Sequence, residues 1–249
     1  MSPVFESGLW GFVAGAALLV GAAVGYTVRV PRRVVAAVMA FGAGVLLSAV
    51  SFELVGEAYD QGGLVPAAVG TVCGALAYTG GNVWLARRGA RHRKRSGGQQ
   101  PSEREHEGSG LALALGALLD GVPESAVIGV GLADGGAVSL VTVAAVFISN
   151  VPEGLSSSAG MRRAGRRPGY VFGVWGAIAA AGTVAAVLGC AVVGGAPDAV
   201  VAAVTAVAAG AILAMVADTM IPEAFEDAQL AIGLITVCGF LVSFTLSHL

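Results

Sequence analysis

Charged residues are scarce in this chain. Only 12% of its 249 residues are charged, against roughly a quarter in an ordinary soluble domain, while 56% are hydrophobic and the mean hydropathy is +0.80. This composition excludes an ordinary soluble globular domain and is typical of an integral membrane protein. Nothing in it points to nucleic acid as a partner.

Histidine and cysteine are equally rare, which limits the possible chemistry. With three histidines, at positions 92, 106 and 248, the chain cannot build the imidazole-rich sites that zinc enzymes favour. The three cysteines lie far apart in apolar stretches and form no C-x-x-C motif, so they do not indicate a redox compartment.

Long apolar stretches are what the chain has instead. A helix that crosses a bilayer needs about 20 mostly apolar residues. Eight such stretches occur, near residues 8–28, 34–56, 64–85, 110–132, 137–160, 169–193, 198–221 and 229–248. The sequence therefore predicts an all-α membrane protein with eight transmembrane helices, forming one domain over residues 1–249. The first stretch lacks signal-peptide features, and we expect it to remain as a membrane helix.

All fourteen Lys and Arg residues fall in three clusters, at residues 29–33, 87–104 and 162–167. These clusters lie in the first, third and fifth connections between the predicted helices, which share one side of the membrane. The positive-inside rule makes that side cytoplasmic, so both termini of this multi-pass cell-membrane protein are expected outside. Residues 86–109, with a basic run and an acidic end, are predicted to be a flexible cytoplasmic loop.

Two predicted helices resemble each other. Residues 43–58 and 209–224 align without a gap, with six of sixteen positions identical. On the topology above the two helices run in opposite directions. This favours an inverted repeat of helices 1–3 and 6–8 around helices 4–5, although Ala, Gly and Leu also match by chance in membrane helices.

Polar side chains recur in the fourth and fifth predicted helices. Asp120 and Glu124 are four residues apart and share a helix face, as do Asn150 and Glu153, three apart. A short connection makes the two helices antiparallel neighbours, so we expect three carboxylates and one amide oxygen to converge at mid-membrane. An acid within a membrane helix is by default a functional-site hypothesis.

No Lys or Arg lies within a predicted span, so these carboxylates are expected to be neutralised by a mobile cation. Pro123 and Pro152 directly precede Glu124 and Glu153 and free backbone carbonyls, and such oxygen ligands suit a divalent metal ion. There are two alternatives to a metal site. The acids could be protonated and hydrogen-bonded to the backbone, or the same carboxylates could take part in proton-coupled transport. Two more acids, in the second and seventh helices, are expected to form a second cluster or an entrance. The candidate metal ligands are Asp120, Glu124, Asn150, Glu153, Glu53 and Asp218.

The paired V-P-E motifs, the second span FGAGVLLSAVSFELVGEA and the seventh span AAGAILAMVADTMIPEAFED resemble the ZIP family of divalent metal transporters. The resemblance implies an eight-helix bundle with outside termini, a homodimer, and a transport site for zinc and related metals on helices 4 and 5. It also implies that the metal is the substrate and moves towards the cytoplasm. No cofactor is therefore expected.

This sequence departs from the family pattern at several positions. Glu124, Asn150 and Glu153 match the family residues, but Asp120 stands where the family usually has His. In this chain Gly121 stands where the family usually has Asn, Ser149 where it has His or Gln, and Ser125 where it has Gly. The sixth span also lacks the carboxylate that many members have there. Loss of imidazole ligands predicts weaker zinc preference and favours harder ions such as Mn or Fe(II).

The sequence thus predicts a secondary transporter of divalent metal cations and not an enzyme. A ZIP-like sensor or subunit that no longer transports is the alternative. An intramembrane enzyme using the serines at 156–158 is disfavoured, because no histidine lies deep in a span to act as the base.

Overall fold

The computed structural model describes residues 2–94, 100, 109–133, 139–227 and 231–248, and within them the chain folds into eight long helices. Four of these are α1 (Pro3–Thr27), α4 (Ser109–Val130), α5 (Leu140–Arg163) and α6 (Pro168–Val193). The others are α2 (Arg32–Gly62), α3 (Leu64–Ala90), α7 (Asp198–Met215, Val216–Met220 and Ile221–Asp227) and α8 (Ile232–Ser247).

Seven of the helices in the described part of the chain are long and apolar enough to cross a membrane. The eighth, Ile232–Ser247, is also apolar but has only 16 residues. The prediction of an all-helical, multi-pass membrane protein is therefore confirmed in these coarse terms. Helix α2 continues beyond the predicted stretch 34–56, and α7 beyond 198–221, because their last turns are polar and hydropathy does not detect them.

Local sequence signals explain where several helices begin and end. Ser139 caps α5 by accepting a hydrogen bond from the Thr142 amide (3.1 Å), and Pro168 occupies the first turn of α6. Gly63 (φ 77°) separates α2 from α3, and Gly165 (φ 78°) lies between α5 and α6. Both have a positive φ, which glycine adopts without a Cβ penalty.

Three helices contain a π-helical segment: Val50–Val55 in α2, Ala86–Ala90 in α3 and Val216–Met220 in α7. The first and the third begin at Val50 and Val216, which are paired in the gapless alignment of residues 43–58 with 209–224. The two stretches therefore share a backbone irregularity as well as sequence, and such π-bulges are rare enough to be informative.

Close helix contacts also recur at aligned positions of the two stretches. Gly44 of α2 packs so tightly on α8 that a Cβ atom would overlap the carbonyl oxygen of Thr236, and Gly210 of α7 packs in the same way on Thr71 of α3. Small residues allow this close approach of membrane helices. A second matched pair of contacts joins the same helices, with Gly239 against Phe41 and Gly74 against Val207.

The ends of the helices that carry Lys and Arg lie together. Arg162 at the end of α5 donates to the carbonyl oxygen of Tyr26 near the end of α1 (2.6 Å), and the Tyr26 hydroxyl donates to the carbonyl of Arg166 (3.2 Å). Residues 91–94 and Gln100 reach the same region through contacts described below. We refer to this part of the bundle as the basic end.

Candidate cation site

Helices α4 and α5 carry the four central candidate residues into the interior of the bundle. Asp120 and Glu124 are 0% exposed, and Asn150 and Glu153 are each 2% exposed. Pro123 lies inside α4, beside Glu124, as the sequence predicts. The carboxylates are thus shielded from lipid and held on helices, which position side chains more rigidly than loops do.

The prolines change the backbone chemistry beside these acids. Pro123 and Pro152 have no amide hydrogen, so the carbonyl oxygens of Leu119 and Ile148, four residues earlier, lose their usual helical donor. In the middle of a membrane such oxygens must find another partner. Each half of the site therefore contains electron-rich backbone oxygens in addition to carboxylates.

Asp120 is held by two partners in the protein. The Tyr78 hydroxyl donates to Oδ1 (2.6 Å), and Arg93 donates from Nη2 to Oδ1 and from Nε to Oδ2, both at 2.8 Å. This two-pronged arrangement of guanidinium and carboxylate is the strong, geometrically specific form of the ion pair. Both oxygens of Asp120 are therefore already engaged.

Lys94 lies between two carboxylates. Its Nζ is 3.5 Å from Oδ2 of Asp120 and 3.3 Å from Oε1 of Glu153, and the residue is only 2% exposed. Burial by itself lowers the pKa of this amine, but attraction to Asp120 and Glu153, and more weakly to Glu124, outweighs burial and raises the pKa of Lys94. The Lys94 amine is thus placed to act as a counter-ion to both carboxylates.

The prediction that these acids have no basic partner in the chain is wrong for Asp120 and Glu153. Within the π-helical end of α3, Gly89 (φ 102°) lets the chain turn back. Residues 91–94, which we call the 91–94 turn, therefore re-enter the bundle. Gly116 of α4 makes room for Arg93, because a Cβ atom there would overlap the arginine side chain. Hydropathy assigns these residues to the predicted 86–109 loop, of which residues 95–99 and 101–108 lie outside the described part of the chain.

Several polar contacts fasten the 91–94 turn to α3, α5 and α7. Gln100 links the turn to α5, because its Nε2 donates to the Arg93 carbonyl (2.9 Å) and contacts the Ser157 carbonyl (3.2 Å). The other contacts join Arg93 Nη1 to Asn82 Oδ1 (2.7 Å), the Ser156 hydroxyl to the Lys94 carbonyl, and the same hydroxyl to Glu223 Oε1 (2.8 Å).

Other oxygens at the site have no donor. Neither carboxylate oxygen of Glu124 has a hydrogen-bond donor of good geometry among the described residues. The nearby Ser149 hydroxyl donates to the Val146 carbonyl instead (2.9 Å). Asn150 donates its Nδ2 to the Ala14 carbonyl (2.9 Å), which leaves its Oδ1 without a partner among these residues. Buried acceptors without donors are energetically costly, and a cation would relieve that cost.

The present geometry is not that of an assembled metal site. Within the described ranges, no three side chains of His, Cys, Asp or Glu are grouped closely enough to hold a metal ion. The structure brings Asp120 and Glu153 to one amine group, while Glu124 and Asn150 carry buried oxygens without a partner among the described residues on the same two helices. The role of these four residues as metal ligands stays a prediction.

Glu53 and Asp218 join neither the central group nor each other. Glu53 is half-buried and accepts a hydrogen bond from Ser139 (3.3 Å) at the start of α5, whereas Asp218 is exposed and lines a cavity at the basic end. Because these places lie towards opposite ends of α5, the two residues do not form the second cluster considered from the sequence.

The cavity at the basic end has a volume of about 420 Å³. It lies between α3, α7 and the 91–94 turn, and Asp218 and Glu223 face it together with Arg93 and Lys94. Since Arg93 and Lys94 also contact the buried carboxylates, the turn forms the wall between this cavity and the interior site.

Sequence reasoning missed Tyr78, Arg93 and Lys94. Tyr78 was detectable in principle, as a phenol in an apolar span whose hydroxyl needs a partner when buried. Lys94 is the single lysine of the chain, but its place in a basic run gave no sign that it would be buried.

No protein-family model matches the chain, and the search of curated proteins found no match.

Proposed function

We propose that this protein is a secondary transporter that moves divalent metal cations across the cell membrane towards the cytoplasm, and that it is related to the ZIP family. The observation that carries this proposal concerns buried oxygen atoms on Glu124 and Asn150 that have no hydrogen-bond donor among the described residues. They lie on the same two helices as the carboxylates that already hold a cationic side chain. Glu124, Asn150 and Glu153 are the proposed cargo ligands, with Asp120 beside them.

The donor set favours particular metals. The proposed ligands are carboxylate, amide and freed carbonyl oxygens, and no histidine is among them. Oxygen donors suit Mn²⁺ and Fe²⁺ better than the softer partners that imidazole and thiolate select. We therefore expect manganese or iron to be carried at least as well as zinc, and we expect no cofactor.

The proposed transporter works as two related halves. Helices 1–3 and 6–8 form an inverted repeat around helices 4 and 5, with the basic end in the cytoplasm and both termini outside. Support comes from the aligned π-helical segments at Val50 and Val216 and from the matched glycine contacts. A homodimer in the lipid bilayer, without nucleic acid or enzymatic activity, completes the proposal.

A ZIP-like protein that senses metal or serves as a non-transporting subunit is the second candidate. The ion pairs of Asp120 and Glu153 with Lys94 favour it, because protein cations already occupy the carboxylates. Metal flux separates the two candidates, since a sensor binds metal without moving it.

Uptake into liposomes containing the purified protein tests the proposal. Zinc, manganese, iron and cadmium would each be offered with and without a pH gradient. We expect saturable uptake of manganese or iron by the unchanged protein and a loss of at least about 100-fold in Glu153→Gln, because a buried charged ligand is removed. Glu57→Gln, which alters an exposed carboxylate bonded to Gln61, is the matched control and should transport normally.

Full transport by a correctly folded Glu153→Gln protein would overturn the assignment of the site. Metal binding without flux in the unchanged protein would replace the transporter with the sensor. Strict selectivity for zinc would contradict the expected preference for harder ions.

A further inference from the structure

The chain supplies its own cations to the candidate site. Arg93 and Lys94 are 3% and 2% exposed, and both form ion pairs with Asp120, while Lys94 also reaches Glu153. Charges buried this deeply are costly unless they are paired. The three carboxylates would lose much of their compensation if these side chains left and nothing replaced them.

Arg93 and Lys94 are held in different ways. Arg93 makes the two-pronged pair with Asp120 and a further hydrogen bond to Asn82 (2.7 Å). Lys94 has only longer ion pairs, at 3.3 and 3.5 Å, and its Nζ makes no hydrogen bond with any described residue. Arg93 is therefore the anchored member and Lys94 the more easily displaced one.

The charges of the site are compatible with replacement of Lys94 by a divalent metal ion. Asp120 and Arg93 form a neutral pair, which leaves Glu124 and Glu153 as two carboxylates with Lys94 beside them. Two carboxylates balance one divalent cation. The space into which the Lys94 side chain could withdraw is the cavity of about 420 Å³, since Lys94 is among the residues that line it.

We propose that Lys94 is a tethered counter-ion that occupies the cation position when no metal is bound and is displaced towards the cavity when metal enters. Arg93 and Asp120 then act as the anchor that keeps the 91–94 turn within reach, so Asp120 is a positioning residue and not a metal ligand. This inference rests on the function proposed above, and it names the regulation of that same site.

Competition of this kind sets the metal affinity. The apparent Kd equals the intrinsic Kd divided by the fraction of molecules in which the site is accessible. If Lys94 is seated in about nine molecules of ten, the apparent Kd is about tenfold higher than the intrinsic value. Removing the competing ammonium should recover that factor.

The reactivity of the Lys94 amine tests displacement directly, because Lys94 is the single lysine of the chain. Full-length protein would be acylated briefly with and without saturating Mn²⁺, and the modification of Lys94 would be quantified by mass spectrometry. We expect low reactivity without metal and an increase of about tenfold with Mn²⁺. The amine introduced by Arg87→Lys, at an exposed position, serves as an internal reference and should react equally in both conditions.

Binding of Mn²⁺ to variants tests the competition. We expect Lys94→Gln to lower the apparent Kd about tenfold and Lys94→Arg to keep it near the original value, while Arg87→Gln leaves it unchanged. Asp120→Asn should make the Lys94 amine reactive without metal, because it weakens the anchor of the 91–94 turn. Glu124→Gln should weaken binding because it removes a proposed ligand.

The outcomes separate this inference from the proposed function. If the unchanged protein binds and transports Mn²⁺ but the Lys94 amine is equally reactive with and without it, the tethered counter-ion is wrong and the transporter stands. A Lys94→Gln protein that binds Mn²⁺ no more tightly than the original would also contradict the tethered counter-ion and leave the transporter standing. If neither the unchanged protein nor Lys94→Gln binds any of the four metals, both proposals fail.

Discussion

At the scale of single residues, the site combines atoms that are satisfied with atoms that are not. Asp120 has a donor for each of its oxygens, whereas Glu124 has none among the described residues. The convergence of Asp120 and Glu153 on one region was predictable from their spacing on antiparallel helices. Their ion pairs were not, because Lys94 is brought there by the reversal of the chain at Gly89, which leaves no hydropathy signal.

Asn150 provides a residue-scale prediction. Its Nδ2 donates a hydrogen bond to the Ala14 carbonyl, so its Oδ1 is the atom that remains available to a cation. We expect Asn150→Ala to raise the apparent Kd for Mn²⁺ about tenfold, the cost of losing one oxygen ligand. Titration of purified protein, with free Mn²⁺ followed by electron paramagnetic resonance, measures this change.

Asn82 is the matched control for Asn150. It also lies in the bundle, but its Oδ1 accepts from Arg93 Nη1 and so supports the 91–94 turn and not the proposed ligands. Asn82→Ala should leave Mn²⁺ binding unchanged or make it tighter. Equal weakening by both substitutions would show that loss of any interior amide disturbs the site, and Asn150 would lose its assigned role.

At the scale of helices, glycine contacts determine how closely α2 packs on α8 and α7 on α3, the helices of the proposed repeat. Gly44 against Thr236 and Gly210 against Thr71 bring helix backbones together where no side chain fits. The sequence alignment of residues 43–58 with 209–224 predicts related helices, and the shared π-helical segments agree with it. The π-helical geometry itself was not predictable, because neither stretch carries a residue that demands it.

Alanine substitution at these contacts should have equivalent effects in the two halves. We expect Gly44→Ala and Gly210→Ala each to destabilise the folded protein by about 1–3 kcal/mol, the usual cost of overpacking. Gly80→Ala and Gly176→Ala are the controls, since a Cβ atom there meets nothing within 4 Å. Thermal unfolding in detergent, followed by tryptophan fluorescence, compares the four variants.

The comparison has a clear contrary result. If Gly44→Ala lowers the melting temperature while Gly210→Ala does not, the two contacts are not equivalent and the repeat loses its main structural support. Loss of stability in the control variants would instead mean that lipid-facing glycines are needed for another reason.

At the scale of the whole molecule, the proposed orientation in the membrane rests on the distribution of basic residues. Tyr26, near the end of α1 and shortly before the first basic cluster, contacts Arg162 and Arg166 of the third basic cluster. The sequence predicts eight spans because apolar length is a strong signal. It places several helix ends too early, since the polar final turns of α2 and α7 resemble loops in composition.

Cysteine accessibility tests the proposed orientation. In a background with Cys73, Cys190 and Cys238 replaced, Arg88→Cys at the basic end should react with a membrane-impermeant thiol reagent only from the cytoplasmic side. Gln61→Cys, at the far end of α2, should react only from outside. Labelling of intact cells and of inverted vesicles distinguishes the two sides, and reaction of both positions from the same side would contradict eight alternating spans.

The central claim is that buried oxygen atoms on α4 and α5 bind a divalent metal in place of a protein cation. Anomalous X-ray scattering from crystals of the full-length protein grown with Mn²⁺ tests it most directly. We predict a manganese peak in contact with Glu124, Asn150 and Glu153, with the Lys94 ammonium withdrawn towards the cavity at the basic end. An empty interior, with Lys94 still between Asp120 and Glu153 at saturating Mn²⁺, would contradict the claim.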